Sequence, residues 1–158
     1  MTLYHGTNAP FDEIDLSRSR KGKDFGQGFY LSADKQQAME MAQFKVKILG
    51  GTATIQEYEF DESQLHGDML KYKQFDEYTE EWAEFVLANR ENMSDTPMHH
   101  YDIVYGPIAN DNVGQQMRNL KEENIDLKTF LERLKYKKGI TYQYFFGTEK
   151  AINLLKRI

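Results

Sequence analysis

Two short stretches of this sequence carry residue types suited to ligand chemistry. The first is Tyr4-His5-Gly6-Thr7. His5 sits where an apolar start runs into a glycine, so its imidazole lies beside backbone that a ligand can approach closely. Thr7 adds a hydroxyl. The second is Asp24-Phe25-Gly26-Gln27-Gly28-Phe29-Tyr30-Leu31-Ser32, where Gly26 and Gly28 permit unusual dihedrals directly before the Phe29-Tyr30 pair. An aromatic face next to bare backbone suits stacking on a flat heterocycle, with main-chain N–H and C=O groups reading an amide. The plain alternatives are a packed or surface histidine and an ordinary strand start at Gly28-Phe29-Tyr30. Spacing by itself does not separate the two readings.

Three further groups deserve weighing. Arg18, Arg20, Lys21 and Lys23 form a cationic loop ahead of the second stretch. Such runs are commonly solvated, yet Arg18 or Arg20 offers the planar fork that suits phosphate, and the whole run suits an anionic macromolecule such as nucleic acid. Asn110 and Asp111 follow Gly106-Pro107-Ile108 at a strand end, a place for site residues and equally for plain turn chemistry. His99, His100 and Asp102 do not read as a metal site, because adjacent strand residues point to opposite sides and no further histidine lies nearby. No metal is expected.

These residues must be held by a folded scaffold, and the composition supplies one. The 158 residues suit a single domain, and 40% hydrophobic content with 10 Tyr and 10 Phe predicts a packed core. The formal charge of −5 argues against a general nucleic-acid or anionic-membrane binder. Cysteine is absent, which excludes disulfides and thiolate chemistry and agrees with a reducing cytoplasm. No signal peptide and no apolar run near the roughly 18 residues of a membrane span is visible, so a cytoplasmic protein is expected.

Hydrophobic periodicity places the elements. Strands are expected around Tyr4, around Phe29-Tyr30, over 52–60, over 102–108 and over 141–146, where Tyr142, Tyr144 and Phe146 alternate with Gln143 and Phe145. Asp34, with Gln37 three residues on, reads as the cap of a helix through Ala38, Met41, Ala42 and Lys45, closed by Gly50-Gly51. Phe75, Tyr78, Trp82, Phe85, Val86 and Asn89 predict an amphipathic helix of about five turns, with Trp82, Phe85 and Val86 as core. Asp126 caps a helix carrying Leu127, Phe130, Leu131 and Leu134, and Ala151, Ile152 and Leu155 close the chain on another. The class is α+β.

The sequence also resembles known proteins. Tyr4-His5-Gly6-Thr7, followed by Gly28-Phe29-Tyr30-Leu31-Ser32 and an alanine-bearing helix, resembles the first two motifs of the ADP-ribosyltransferase superfamily. The branch is the histidine–tyrosine–glutamate one, which includes diphtheria toxin and the poly(ADP-ribose) polymerases. Residues 24–30, 102–111 and 142–145 also resemble a small bacterial domain family without an assigned function, which extends the likeness over nearly the whole chain. The resemblance implies a split β-sheet core with flanking helices and NAD as substrate. It implies that His5 meets a ribose hydroxyl, that Gly6 clamps the nicotinamide carboxamide, and that Tyr30 stacks on the nicotinamide ring. Thr7, Gly28, Phe29, Asn110 and Asp111 join them around NAD, with Arg18 or Arg20 on its pyrophosphate. The third motif normally supplies a glutamate; here the matching residue is Gln143, a departure.

That departure has a chemical consequence. Cleavage of the C–N glycosidic bond builds positive charge on the ribose, which a carboxylate stabilises and a neutral carboxamide does not. Losing such a contact costs on the order of 3 kcal/mol, about 100-fold in rate. Gln143 therefore leaves three readings: a slower transferase, one that draws a carboxylate from Glu149 or Asp111, or a non-catalytic module that binds NAD or ADP-ribose. The expected activity is mono-ADP-ribosyl transfer to a protein or nucleic acid. By analogy with the superfamily, a bacterial toxin or phage-defence effector with an antitoxin or immunity partner would fit. Gln143 on the solvent face of an edge strand is the bland alternative.

Overall fold

The short strands gather into two sheets, and the computed structural model describes residues 1–109, 111–134 and 139–158 of the chain. In the first sheet β1 (Thr2–Thr7) pairs antiparallel with β3 (Thr54–Glu59), which pairs in turn with β7 (Lys156–Arg157). The second runs in the order β2 (Phe29–Leu31), β6 (Tyr142–Phe146), β5 (Ile103–Pro107), β4 (Tyr72–Gln74), and is antiparallel except between β4 and β5. One bridge joins the sheets: Tyr4 and Ser32 exchange both backbone hydrogen bonds, at 2.7 and 2.8 Å.

Alternation along these strands builds two cores. Phe29, Leu31, Ile103, Tyr144 and Phe146 from one face of the second sheet pack with Leu3 and Tyr58 of the first. Val104 and Phe145 on the opposite face pack under three helices, α2 (Glu80–Glu91), α3 (Asp111–Lys121) and α4 (Leu127–Leu134), through Trp82, Val86, Met117 and Phe130. The second sheet is thus apolar on both faces, which explains the run of aromatic residues in β6. The architecture is α+β with two small sheets.

Helix α1 (Lys35–Leu49) covers β1 instead. Asp34 caps it, its carboxylate accepting from the Gln36 and Gln37 amides, and Gly50 ends it at a φ of 76°. Its buried residues are Ala38 and Ala42, small enough for the helix to lie against Gly6. A β-carbon on Gly6 would stand 2.0 Å from the Ala38 carbonyl oxygen, so only glycine permits this approach.

The structure departs from the sequence reading at several points. The helix expected from Phe75 begins only at Glu80, capped by Thr79, because Phe75 is extended and its amide bonds the Tyr105 carbonyl at 2.8 Å. Helix α3 was not anticipated from the polar segment that forms it. The chain closes on β7 after a short α5 (Glu149–Ile152), since Ile158 returns its amide to Glu57. Finally, β6 is no edge strand: it lies between β2 and β5.

Candidate functional site

A cleft of about 390 Å³ opens where β1, β2, β6, α1 and the loop before β2 meet. His5, Gly6, Tyr30 and Gln143 all line it. Residues separated by more than 130 positions in the chain therefore meet at one place, brought together by the Tyr4–Ser32 bridge and the β2–β6 pairing.

His5 lies within β1, beside β2. Its Nδ1 donates to the Tyr30 carbonyl at 2.7 Å, while the ring stacks on Phe29 at a centroid distance of 4.3 Å. The tautomer follows from the carbonyl partner: Nδ1 carries the hydrogen, and Nε2 is left as an acceptor with no protein partner among the described residues. Burial, and next the Lys45 ammonium, push the His5 pKa down to about 3, so the ring is neutral at physiological pH. It offers a lone pair to a hydroxyl donor.

Gly6 presents backbone to the same space. Successive residues of an antiparallel strand send their paired N–H and C=O to opposite edges, so every second residue faces the same edge. Tyr4 sends both of its groups to Ser32, so Gly6, two residues on, aims its pair at that same edge. The Gly6 carbonyl accepts a hydrogen bond from Lys45 Nζ at 2.7 Å. An amide is the chemical group that matches an adjacent N–H and C=O.

Tyr30 is fixed by its own hydroxyl, which donates to the Gly26 carbonyl at 2.6 Å and accepts from the Phe25 amide at 3.0 Å. These bonds close the loop before β2. Burial raises the phenol pKa well above its ordinary value, so the hydroxyl is a structural tie and not a proton acceptor. The ring edge-packs on Phe145 at 5.4 Å, and the Lys23 ammonium stands 4.9 Å from its centroid. Gly28 lies against Phe145 so closely that a β-carbon would be 2.2 Å from that ring. Gln143 stands opposite Gly106 on β5, partly buried, and its carboxamide has no protein hydrogen-bond partner among the described residues.

Charge is distributed unevenly. Arg20, Lys23 and Lys45 line the cleft and form no ion pair among the described residues. Burial, then Lys23 and Arg20, lower the Lys45 pKa to about 8, and Lys23 is lowered by burial and Arg20. Asp24 also lines the cleft, but it is held by Arg90 Nε at 2.6 Å and accepts from the Ala109 amide at 3.3 Å.

Four other residues singled out in the sequence lie apart. Thr7 is buried and closes the turn after β1 by bonding the Ala9 backbone. Phe29 is a core residue beneath His5. Arg18 is exposed and pairs with Asp15 at 3.7 Å, away from the cleft lining. Glu149 opens α5 on the surface and does not line the cleft. Asn110 lies outside the described residues, and of Asp111 only the backbone at the start of α3 is described. No group of three or more His, Asp or Glu residues placed to hold a metal occurs among the described residues.

Sequence reasoning assigned no individual role to Lys23, Asp24, Lys45 or Arg90. One signal for Lys45 was available: it continues the Ala38–Ala42 stripe at i+7, a cation on the buried face of a helix. Arg90 gave no such signal, since its partner lies 66 residues away.

No curated protein and no solved structure matches the chain. No helix among the described residues is long and apolar enough to cross a membrane. A family described as "Protein of unknown function (DUF3990)" matches residues 1–157, and the chain belongs to that family.

Proposed function

We propose that this chain is an NAD-dependent mono-ADP-ribosyltransferase acting on a macromolecule, with a core of the ADP-ribosyltransferase kind. The observation that carries the reading is the convergence of His5, Gly6, Tyr30 and Gln143 on one cleft. In it the nicotinamide carboxamide meets the Gly6 backbone, and the ring takes the Tyr30 face that Lys23 now covers. The neutral His5 accepts from a ribose hydroxyl, and the Gln143 carboxamide meets the same sugar. Arg20, Lys23 and Lys45 balance the diphosphate. When the C–N bond breaks, its electron pair leaves with nicotinamide; the acceptor then bonds to the ribose carbon and loses its proton.

Among the described residues the cleft supplies no free carboxylate for the developing charge, since Asp24 is tied to Arg90. Slow turnover is therefore expected. The same observation supports a second reading, a module that binds NAD or ADP-ribose without reacting it. A toxin or phage-defence role, paired with an antitoxin or immunity partner, fits the activity by analogy alone.

The test is incubation with labelled NAD and cell lysate, following nicotinamide release and label on protein and nucleic acid. Release that is lost in His5→Ala and Tyr30→Ala supports the transferase. Saturable binding with all NAD recovered intact supports the module. Absence of both binding and release overturns the proposal.

A further inference from the structure

The contact between Lys45 and Gly6 has a consequence for what the cleft accepts. Lys45 Nζ donates to the Gly6 carbonyl, the acceptor that an incoming amide needs. A charge-assisted hydrogen bond is roughly twice as strong as a neutral one, so a neutral amide does not displace the ammonium on equal terms. The ammonium gives way only if the same ligand offers it a better partner. Lys45 shares the cleft with Arg20, Lys23, the neutral His5 and the Asp24–Arg90 pair, and among the described residues no free carboxylate is available to it there. An anionic group on the ligand fills that need.

We infer that Lys45 is an exchangeable cap on the Gly6 carbonyl, released only by a ligand that carries both an amide for the carbonyl and a phosphate for the ammonium. The inference rests on the NAD reading of the cleft and adds a selectivity device to it. Three neighbouring cations crowd one another, and the lowered pKa of Lys45 agrees with an ammonium that gains from an anion. The cap discriminates against free nicotinamide, which has the amide and no phosphate. It also lets NAD bind in the presence of the nicotinamide that the reaction would release.

The experiment is calorimetric titration of the full chain with NAD, ADP-ribose and nicotinamide, comparing the parent with Lys45→Met, which keeps length and removes charge and donor. The cap predicts opposite signs. NAD weakens about tenfold or more, nicotinamide tightens by at least about threefold, and ADP-ribose, which brings no amide to displace the ammonium, stays within about threefold. Lys45→Arg, which keeps a cation, holds NAD within about threefold of the parent. A residue with a merely structural role would move all three ligands the same way, and that result overturns the cap. The parent protein gives an independent arm should Lys45→Met fold poorly. Raising the pH from 7 to 9 deprotonates Lys45, so nicotinamide should tighten as NAD weakens; parallel changes overturn the inference. If the parent binds neither NAD nor ADP-ribose, the reading of the cleft falls and the cap falls with it. If it binds NAD and only the sign test fails, the cap alone falls.

Discussion

His5 and His99 are built alike, but the protein commits their ring nitrogens, and the cations beside them, differently. Each packs against an aromatic ring, Phe29 at 4.3 Å and Phe85 at 5.0 Å, and each bonds a backbone carbonyl at 2.7 Å. Each has its pKa lowered by burial and is neutral near pH 7. Each also borders a cavity, the second of about 500 Å³ on the far side of the loop before β2. His99 donates from Nε2 to Phe25, and its Nδ1 accepts from the Tyr101 amide at 3.1 Å. Both of its nitrogens are committed to holding backbone, whereas His5 Nε2 has no protein partner among the described residues. The cavities differ in the same sense. Lys21 beside His99 is paired with Asp95, while Arg20, Lys23 and Lys45 beside His5 have no carboxylate partner among the described residues. Burial and aromatic contact are common to both histidines; the uncommitted nitrogen is what sets His5 apart and what the proposed function uses.

That contrast can be broken by exchanging the two residues' fates. His5→Ala should lower NAD affinity or nicotinamide release by about 100-fold with little loss of stability beyond its packing. His99→Ala should do the reverse, costing about 2 kcal/mol in denaturant unfolding while NAD affinity stays within about twofold. Equal losses of function in the two variants would erase the distinction.

Restoring the missing charge comes next. Gln143→Glu should raise nicotinamide release, by up to about 100-fold if the carboxylate acts on the ribose as charge develops. Capture of that carboxylate by Lys23 or Lys45 would appear as unchanged release, and would show that the cationic cleft favours binding over turnover.

The neutrality of His5 gives a pH prediction with a definite sign. Its folded pKa of about 3 lies below the ordinary 6.5, so as pH falls below 6.5 the unfolded chain takes up a proton that the folded chain refuses. Stability should fall through the window between 6.5 and 3, by at most about 1.4 kcal/mol per pH unit from this group. The drop should be shallower in His5→Gln, and identical profiles would remove His5 as its source. The smallest effect concerns the two arginines. Arg20→Ala should weaken NAD about threefold to tenfold, and Arg18→Ala, exposed beside Asp15, should change nothing measurable.

Much of the scaffold was legible because its signals are local. Asp34 as an N-cap, Gly50 as a helix end and the alternation in β6 all act within a few residues, and the structure follows each. Helix α3 escaped because its polar segment shows its apolar side only through Val113, Met117 and Leu120, which are recognisable as core once Phe130 and Val86 are beside them. The false start at Phe75 has a related cause. Phe75 packs on Phe25 and Phe85 from an extended segment, so its helical spacing with Trp82 is coincidental.

For the candidate site, the sequence by itself determined the groups on offer. A histidine followed by glycine, two glycines before Phe29-Tyr30, and a glutamine where a related pattern has glutamate are fixed by the covalent chain, as are their hydrogen-bonding capacities. Tertiary structure decided which of those capacities remain open. Only the packing of β1 on β2 ties His5 Nδ1 to the Tyr30 carbonyl and leaves Nε2 open, and only the lie of α1 against Gly6 brings the Lys45 ammonium to that carbonyl. Tertiary structure likewise removed Thr7 and Arg18 from the cleft and bound Asp24 to Arg90. The physical reason is that a polar group is defined chemically by its type, but functionally by which partners already satisfy it, and those partners lie far away in the chain.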